Sequence, residues 1–547
     1  MSKGTTCGSK ASPKSSPHSR TAPIPDIRHT ERELLMPVPP KKNTSQESAL
    51  KGPRAATRHL LEGAGSVVVA VMAMALMGYV ALRSLHAESV GPLTQLVPLL
   101  LAMAVGGSLT LSSAGGAPAV GDGAGGGLGG LFGGAGGAGG MRLEVTGGLD
   151  LMPLSLTLVG SVVLATLFFR PLRRRAQPTG PVLGARFAGA VLAAVTLFTV
   201  VASHASGTLR LPESVTSKLG QGKGGGRTGG RGLSDAMKDV GVGVDAGAVA
   251  VQGLIWAFVV LLIGCVVARR TTLPRGLAMS SLRLRWNPAA SAVVGVHLVL
   301  ALVPLLLSAA LAAVAACGGD LPGAAGKAAG GLLLLTPNLL TILLTAGQGS
   351  AWQGVMERSQ GGGGLAGMLA GQTDAAPEPA PRGKNVMDIA VAGIPLWAVG
   401  LALLISTLLV CGYVATARTP RPTPREAGNA LLGFHLQIAV RIGVVTSLCT
   451  ALVSWLTTAS GGFGIGIMGM RLGGATADLS GDWLLACLTG SLLGGAAGYG
   501  GSHLHRVLLR MRRTDTAPAA KRRPGQGPSA SAPAEPVRPE AAAAKNS

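Results

Sequence analysis

Residues Leu149–Arg175 read LDLMPLSLTLVGSVVLATLFFRPLRRR, an apolar run that ends in a cluster of arginines. A helix of about twenty apolar residues rises about 30 Å, which matches the hydrocarbon core of a bilayer. Arginines that adjoin the end of such a span are retained in the cytoplasm. The stretch therefore predicts a membrane-spanning helix whose arginines face the cytoplasm. These are Arg170, Arg173, Arg174 and Arg175.

The composition indicates a membrane protein with many spans. Of the 547 residues, 48% are hydrophobic and 13% are charged, and the mean hydropathy is +0.44. The formal net charge of +23 is concentrated in the two tails and in loops beside apolar runs, where anionic lipid headgroups are the nearest partners. We therefore expect the lipid bilayer as partner, with anionic headgroups at the basic tails, and we expect no binding of nucleic acid.

Both ends of the chain are polar and basic. Residues 1–60 and residues 511–547 have the composition of disordered segments, and their positive charge predicts that both tails are cytoplasmic. The chain has six cysteines, but it contains no CxxC pair and no Cys/His spacing. The sequence therefore supports neither a disulfide framework nor a zinc site.

Ten apolar runs lie between the tails, and local similarities recur among them. Besides the opening stretch, the runs cover 61–82, 93–111, 187–203, 246–268, 289–316, 332–344, 389–415, 436–460 and 483–501. LVPLLLAMAVGGS from Leu96 resembles LTPNLLTILLTAGQGS from Leu335, and MPLSLTLVG from Met152 resembles IPLWAVGLA from Ile394. We therefore predict an internal duplication, with one membrane repeat at 61–285 and another at 286–510.

The basic loops restrict how many runs can cross the membrane. The first tail and the arginines from Arg170 onward both belong inside, so an even number of crossings must separate them, although three runs lie between. Run 93–111 contains Pro98 and paired glycines, and run 332–344 would reach only about 20 Å as a helix. We predict that both are re-entrant or half-length segments. The predicted fold is an all-α bundle with eight full spans, four in each repeat, and both repeats in the same orientation.

A second topology remains open. If all ten runs cross, the second repeat is inverted relative to the first, as in many secondary transporters. That topology places Arg170 and its neighbours outside. The first topology places Arg170 and its neighbours in the cytoplasm, together with a second set of basic residues. This set contains Arg269, Arg270, Arg275, Arg283 and Arg285.

Seven residues are candidates for lining a pathway through the membrane. They are Pro98, Gly106, Gly107, Pro337, Asn338, Gln437 and Arg441. A broken helix can expose backbone to a pathway, although a proline can also simply bend it. Arg441 could bind an anionic substrate, with Gln437 one turn earlier on the same face. Alternatively, Arg441 marks the cytoplasmic edge of its span and extends its side chain to the interface.

Other features predict packing rather than chemistry. Ala486, Gly490, Gly494 and Gly498 recur at intervals of four, a stripe that lets a second helix approach closely. The Gly-rich loops contain G-x-G-x-x-G at 134–139, but no phosphate-binding context surrounds it, and we expect these loops to cover the re-entrant segments. No catalytic, cofactor or metal constellation is recognised, so an enzyme is not expected.

The combination of LDLMPLSLTLVG running into FFRPLRRR, a Gly-rich loop before it, and LLLLTPNLL in the second half resembles the streptophobe family. The resemblance covers about 61–510 and excludes both tails. It implies a very hydrophobic actinobacterial cell-membrane protein, and it implies no catalytic or binding residues.

Two functional hypotheses follow from the sequence. Paired broken segments at equivalent places in a duplicated bundle favour passage of a small solute or ion. The alternative is a non-transporting scaffold or cell-envelope assembly protein, because no residue pattern identifies an energy source or a substrate.

Overall fold

The computed structural model describes the membrane region and parts of its connections. The described residues are 53–113, 143–173, 180–210, 239–267, 280–318, 323–360, 384–385, 390–391, 393–420, 432–467 and 470–515. Both predicted tails, apart from the first turns of the first helix and the last residues of the final helix, lie outside these ranges. So do the Gly-rich loops and five of the predicted cytoplasmic arginines, Arg174, Arg175, Arg269, Arg270 and Arg275.

Ten helices form the described bundle. They are α1 (Pro53–Ser84), α2 (Leu93–Ala104), α3 (Leu154–Arg173), α4 (Gly180–Ser203), α5 (Ala246–Val267), α6 (Ser280–Ala316), α7 (Gly323–Gly347), α8 (Leu396–Arg418), α9 (Phe434–Thr457) and α10 (Trp483–Asp515). Nine of them are long and apolar enough to cross a membrane, and the exception is the twelve-residue α2. The structure thus confirms the predicted polytopic helix bundle.

An eight-stranded antiparallel sheet, which the sequence did not predict, caps one end of the bundle. The strands are β1 (Leu109–Ser113), β2 (Leu143–Leu151), β3 (Gly207–Arg210), β4 (Asp239–Val244), β5 (Trp352–Gln360), β6 (Lys384–Asn385), β9 (Ala459–Ile467) and β10 (Met470–Gly481). Their order is β3-β4-β1-β2-β9-β10-β5-β6. A separate two-stranded ribbon, β7 (Ala390–Val391) with β8 (Ile394–Pro395), precedes α8.

The strands connect directly to helix ends, which fixes the direction of most helices. α2, α4, α7 and α9 each lead into a strand of the sheet, whereas α3, α5 and α10 each follow one. Hydrogen-bonded strands share one layer, so all of these helix ends lie at the same end of the bundle, which we call the sheet end. Open sheet edges are not tolerated in hydrocarbon, so the sheet lies outside the bilayer.

Three exposed tryptophans mark the membrane boundary at the sheet end. Trp397 begins α8, Trp455 lies near the last residue of α9, and Trp483 begins α10. Tryptophan is enriched where lipid headgroups meet hydrocarbon, because its ring is apolar and its N–H is polar. The boundary therefore runs along the base of the sheet.

Two runs were predicted to be re-entrant or half-length. Run 93–111 is divided as its composition predicted, whereas run 332–344 belongs to a longer helix than predicted. Run 93–111 is α2 followed by β1, and Pro98 lies inside α2. Run 332–344 is part of the 25-residue α7, so the prediction of a helix only about 20 Å long is wrong. The added residues, Gly323–Gly331, contain glycine, alanine and a lysine, which lowered the hydropathy on which the boundary was based.

α7 nevertheless enters and leaves at the sheet end. Near its first turns, Gly326 and Gly330 lie against Ser84, the last residue of α1. α1 begins at the opposite end, where Leu60 contacts Gly189 in the early part of α4, so Ser84 lies at the sheet end. The last residue of α7 is followed by β5 in the sheet. Length alone would allow nine crossings, but these contacts reduce the number to eight and support two re-entrant helices.

The two re-entrant helices end in the same way. Gly106 has φ +104° and Gly349 has φ +87°, the left-handed conformation that glycine adopts without strain. In each case the following residue donates its N–H to a carbonyl five residues earlier, Gly107 to Ala102 and Ser350 to Thr345, as in a Schellman motif. This cap stops each helix within the bundle and turns the chain back toward the sheet.

The order of elements repeats along the chain. The first half has the order α1-α2-β1-β2-α3-α4-β3-β4-α5. The second half has the order α6-α7-β5, then a short-strand region, and then α8-α9-β9-β10-α10. Within the sheet, β3-β4-β1-β2 is followed by β9-β10-β5-β6, which is the same relative order. The two halves join through β2 and β9, which pair from Leu143 opposite Ile467 to Leu151 opposite Ala459.

Candidate functional site

The turn after α7 places a glutamine within the membrane part of the bundle. Gln348 Nε2 donates to Thr450 Oγ1 at 3.4 Å. Thr450 lies two turns before the end of α9, and Gly490, which also adjoins the Gln348 amide, lies two turns after the start of α10. Two turns correspond to about 10 Å, so Gln348 is inserted about that far below the sheet end.

One face of α9 continues the polar surface above and below Gln348. Thr446, Thr450, Ser454 and Thr457 follow one another at intervals of three or four, the spacing that aligns side chains on one helix face. Thr446, Ser454 and Thr457 are buried. We call these four residues together with Gln348 the polar seam. It extends from the sheet end to Thr446, near the middle of α9.

Three oxygen atoms of the polar seam lack a hydrogen-bond partner within the described part of the chain. They are Gln348 Oε1, Thr446 Oγ1 and Ser454 Oγ, and all three are inaccessible to solvent. A buried polar oxygen without a partner is costly, by about 1–3 kcal/mol. Such atoms cluster where a protein binds water or a ligand. The polar seam therefore offers uncharged oxygens to an occupant.

Glycines of α10 form the opposite wall of the seam. A β-carbon added at Gly490 would lie 3.3 Å from Thr450 Oγ1, and one added at Gly494 would lie 3.0 Å from Thr446 Oγ1. Gly498 lies against Ala439 and Ile442 of α9. The predicted stripe of small residues thus lies against α9. A larger residue at Gly494 would crowd the Thr446 hydroxyl, so the glycines are required for this close approach.

The tip of α7 is held rigidly below the sheet. The indole of Trp352, at the start of β5, is buried and donates to Thr345 Oγ1 at 2.8 Å. Ser350 Oγ donates to the carbonyl of Asp482, just before α10, at 3.1 Å. These bonds fix the turn between α7 and β5 against α10, so Gln348 is presented to the seam in one orientation.

Apolar side chains close the bundle beyond the seam. Ile438 and Ile442 of α9, Ala292 of α6 and Cys411 of α8 belong to one buried cluster between Thr446 and the end opposite the sheet. The seam is therefore a dead end in this conformation, with its polar part directed toward the sheet.

Pro337 and Asn338 are buried in α7, but the Asn338 amide is engaged elsewhere. Its Oδ1 accepts from the backbone N–H of Leu154 at 3.0 Å, and its Nδ2 donates to the carbonyl of Met152 at 2.9 Å. The Leu154 N–H is one of the donors that helix α3 leaves unpaired where it begins, and the Met152 carbonyl belongs to the link between β2 and α3. Asn338 therefore acts as a helix cap across the two halves and leaves no polar group for a pathway.

The other predicted pathway residues lie in two further places. Gly106 and Gly107 end α2 and pack against Gln252 and Val249 of α5. Pro98 is half-buried inside α2. Gln437 and Arg441 lie near the start of α9, at the end opposite the sheet, and Arg441 Nη2 donates to Gln437 Oε1 at 3.4 Å. The structure therefore does not gather the seven candidates into one site.

Among the arginines that the structure describes, the most deeply buried is one that sequence reasoning missed. Arg186 of α4 is 1% exposed, its Nη1 lies 3.7 Å from Glu62 Oε2 of α1, and its guanidinium lies 5.3 Å from the Phe168 ring centre. Glu62 also pairs with Arg58 and with His59, each at 3.3 Å. The predicted run began at Phe187, seven residues after the start of α4 at Gly180, so Arg186 lay outside it. The available signal was Glu62, an acidic residue inside the first apolar run, which calls for a basic partner in the bundle.

The α1–α4 crossing brings these charges together. A β-carbon added at Gly63 would overlap the carbonyl of Arg186, and one added at Gly189 would overlap the carbonyl of Leu60. The two backbones are therefore in direct contact, as small residues permit in membrane helices. Gly65, on another face of α1, has open space around it. The close crossing holds Glu62 beside Arg186.

These helices and the sheet define an integral, multi-pass membrane protein. Comparison of the chain with protein-family models, with curated proteins and with solved structures found no match. Within the described ranges, no group of three or more His, Cys, Asp or Glu residues could hold a metal ion.

Proposed function

We propose that this protein passes a small solute or ion across the membrane and that the polar seam is where the solute binds. The observation that carries the proposal is the set of three buried, unpartnered oxygens at the tip of a re-entrant helix. Re-entrant helices in membrane proteins line ligand sites, because their backbone is tolerated only beside protein or water.

The chemistry of the seam restricts the solute. Its oxygens are amide and hydroxyl groups without formal charge, so they suit a small neutral solute with hydrogen-bonding groups, or a monovalent cation that exchanges water for oxygen ligands. The residues of the seam supply no carboxylate and no basic group. A solute that carries a full negative charge would therefore find no counter-charge there.

Passage requires a second conformation in which the apolar cluster opens. Ile438 and Ile442 separate Thr446 from the opposite end of the bundle. α7 rests on α8 through a contact between Gly347 and the backbone of Gly400, with no side chain between them. Because the tip of α7 is fixed to α10, the second conformation would move α6 and α8 away from Ile438 and Ile442 of α9, which would admit the solute beyond Thr446.

The orientation follows from the basic residues and is part of the proposal. Arg170 of α3 and Arg285 of α6 lie at the end opposite the sheet, so retention of basic segments would make that end cytoplasmic. α1 begins and α10 ends at this end, so both termini would be cytoplasmic and the sheet would face outward. We further propose residence in the cell membrane, an internal duplication as the origin of the repeated element order, and membership of the streptophobe family.

Flux through reconstituted vesicles tests the proposal. Vesicles that contain the full chain are expected to admit K⁺, Na⁺ or glycerol, measured with an ion-sensitive dye or by osmotic swelling. Thr446→Val and Ser454→Ala are each expected to lower the transport rate about tenfold, because each removes from the seam an oxygen that would bind the solute. The matched control is Thr416→Val, since Thr416 is buried in α8 and its hydroxyl donates to the Gly412 carbonyl. Equal rates in all three variants would contradict the role of the seam.

A scaffold remains the second candidate because of the sheet. Met356 and Phe463 are exposed on strands of the eight-stranded sheet, which lies outside the bilayer, where lipid cannot cover them. If vesicles show no flux of the three probes and the full chain co-purifies with a defined membrane assembly, the scaffold explains the structure and the transport proposal fails.

A further inference from the structure

Two arginines occupy matching places in the two halves. Arg186 is the seventh residue of α4 and Arg441 is the eighth residue of α9, and each of these helices leads into the sheet at its far end. Both side chains therefore lie at nearly the same depth, about 10 Å from the helix start. Arg186 is fully buried and Arg441 is half-buried, and the two also differ in the charge that faces them.

In the first half, a carboxylate of the chain faces the arginine. Arg186 is paired with Glu62 of α1, the helix that packs across α4 at Gly63. The arginine can remain in the membrane because its counter-charge is supplied internally.

In the second half, α6 takes the place of α1 and brings a positive charge instead. Ala289 and Ala292 of α6 pack with Ile438 and Ile442 of α9, which places Arg285, one turn before Ala289, on the same side as Arg441, the residue before Ile442. α6, α8 and α9 contain no acidic residue. The one hydrogen bond that Arg441 makes among the described residues goes to Gln437.

A third arginine adds to the positive charge at this corner. Arg418, the last residue of α8, donates to the backbone and hydroxyl oxygens of Ser291 in α6. Trp286, next to Arg285, is half-buried, as expected at the boundary between headgroups and hydrocarbon. The corner therefore lies at the depth of lipid phosphates.

We infer that a phosphate group occupies the space between α6 and α9 and supplies the counter-charge that Glu62 supplies in the first half. Arg285 and Arg441 would bind it, since guanidinium groups form paired, charge-assisted hydrogen bonds with phosphate oxygens. The phosphate belongs either to the headgroup of an anionic lipid or to free inorganic phosphate. The inference is independent of solute passage through the polar seam, which lies nearer the sheet.

Thermal unfolding of the full chain in nanodiscs tests the inference. With the wild-type chain, phosphatidylglycerol nanodiscs are expected to raise the unfolding midpoint relative to phosphatidylcholine nanodiscs. Arg441→Gln and Arg285→Gln are each expected to weaken the apparent affinity for phosphatidylglycerol about tenfold. Addition of inorganic phosphate to phosphatidylcholine nanodiscs separates the sources. A midpoint raised by phosphatidylglycerol alone assigns the site to lipid, and one raised equally by inorganic phosphate assigns it to the free ion.

Arg285→Glu is the sharpest variant, because it places a carboxylate beside Arg441 as in the first half. It is expected to abolish the response to phosphatidylglycerol and phosphate while keeping the midpoint in phosphatidylcholine at or above that of the wild type. Arg285 is exposed, so this variant is expected to fold even if Arg441→Gln does not. The charge-matched control is Arg170→Gln, an exposed arginine of α3 in the first half, which should keep the full response. The inference is overturned if Arg285→Glu responds like the wild type, or if Arg170→Gln loses the response equally.

Discussion

Glu62→Gln is expected to lower the free energy of unfolding by about 3–5 kcal/mol, because it leaves the Arg186 charge without its carboxylate in the membrane part of the bundle. The Arg186 side chain is 2% exposed, and its Nη1 lies 3.7 Å from Glu62 Oε2. Water cannot replace the lost partner there. The change is measured by reversible unfolding of the purified full chain in mixed micelles, followed by circular dichroism.

The chain offers a control with the same ion-pair distance. Arg83 and Glu88 are also 3.7 Å apart, but their side chains are 48% and 59% exposed. Glu88→Gln is expected to leave the unfolding curve unchanged, because solvent screens exposed pairs. A double replacement, Glu62→Leu with Arg186→Met, should recover most of the stability that Glu62→Gln loses, since neither charge then remains buried. If the Glu62→Gln variant has the same free energy of unfolding as the Glu88→Gln variant, the buried pair does not stabilise the packing of α1 against α4.

Asn338→Leu is expected to lower the free energy of unfolding by about 2–4 kcal/mol, because two buried backbone groups would lose their partners. The Asn338 amide bonds the N–H of Leu154 and the carbonyl of Met152, where β2 passes into α3. Leucine matches asparagine approximately in volume but offers neither donor nor acceptor. The measurement is again reversible unfolding of the full chain.

Thr336→Val provides the control on the same helix. Thr336 is half-buried, and its hydroxyl bonds only the carbonyl of Leu332 in its own helix, so its replacement should change stability little. Asn338→Asp gives an intermediate case, since a carboxylate can accept from Leu154 but cannot donate to Met152. If all three variants unfold alike, the cap across the two halves is not a stabilising contact.

The predictions that succeeded rest on charge and on helix-breaking residues. The pair Gly106, Gly107 indicated correctly that run 93–111 is not one helix, because Gly106 adopts a left-handed conformation that ends α2, whereas α2 continues through Pro98. The arginines from Arg170 onward indicated that two runs turn back, and the connections to the sheet support that conclusion. The return of two runs could be anticipated because insertion of charge into lipid is strongly unfavourable, whereas the orientation of the bundle stays a prediction.

The sheet could not be predicted because its strands lack the usual residues. β9 reads ASGGFGIGI, and glycine at alternate positions has low strand propensity, so the segment resembled a loop. Its strands are stabilised by pairing between segments far apart in the chain, such as β2 with β9. Non-local pairing leaves little local signal in a single sequence.

The polar seam was overlooked for a different reason. Threonine and serine are common in membrane helices, where each hydroxyl can bond a carbonyl in its own preceding turn. Thr446, Thr450 and Ser454 therefore carried no signal until Gln348 of another element was placed beside them. Arg441, selected for its charge, lies nearer the opposite end, and the deeply buried charge is Arg186.

The return of α7 to the sheet end is the claim on which the eight-span topology and the polar seam depend. Labelling with a membrane-impermeant thiol reagent in intact cells tests it directly. Three single-cysteine forms of the full chain are needed: one retaining the exposed native Cys317 just before α7, one with Met356→Cys on β5, and one with Arg510→Cys on α10. We expect Cys317 and position 356 to react alike, and position 510 to react only after the membrane is made permeable. If Cys317 and position 356 react from opposite sides of the membrane, α7 crosses it and the eight-span topology is wrong.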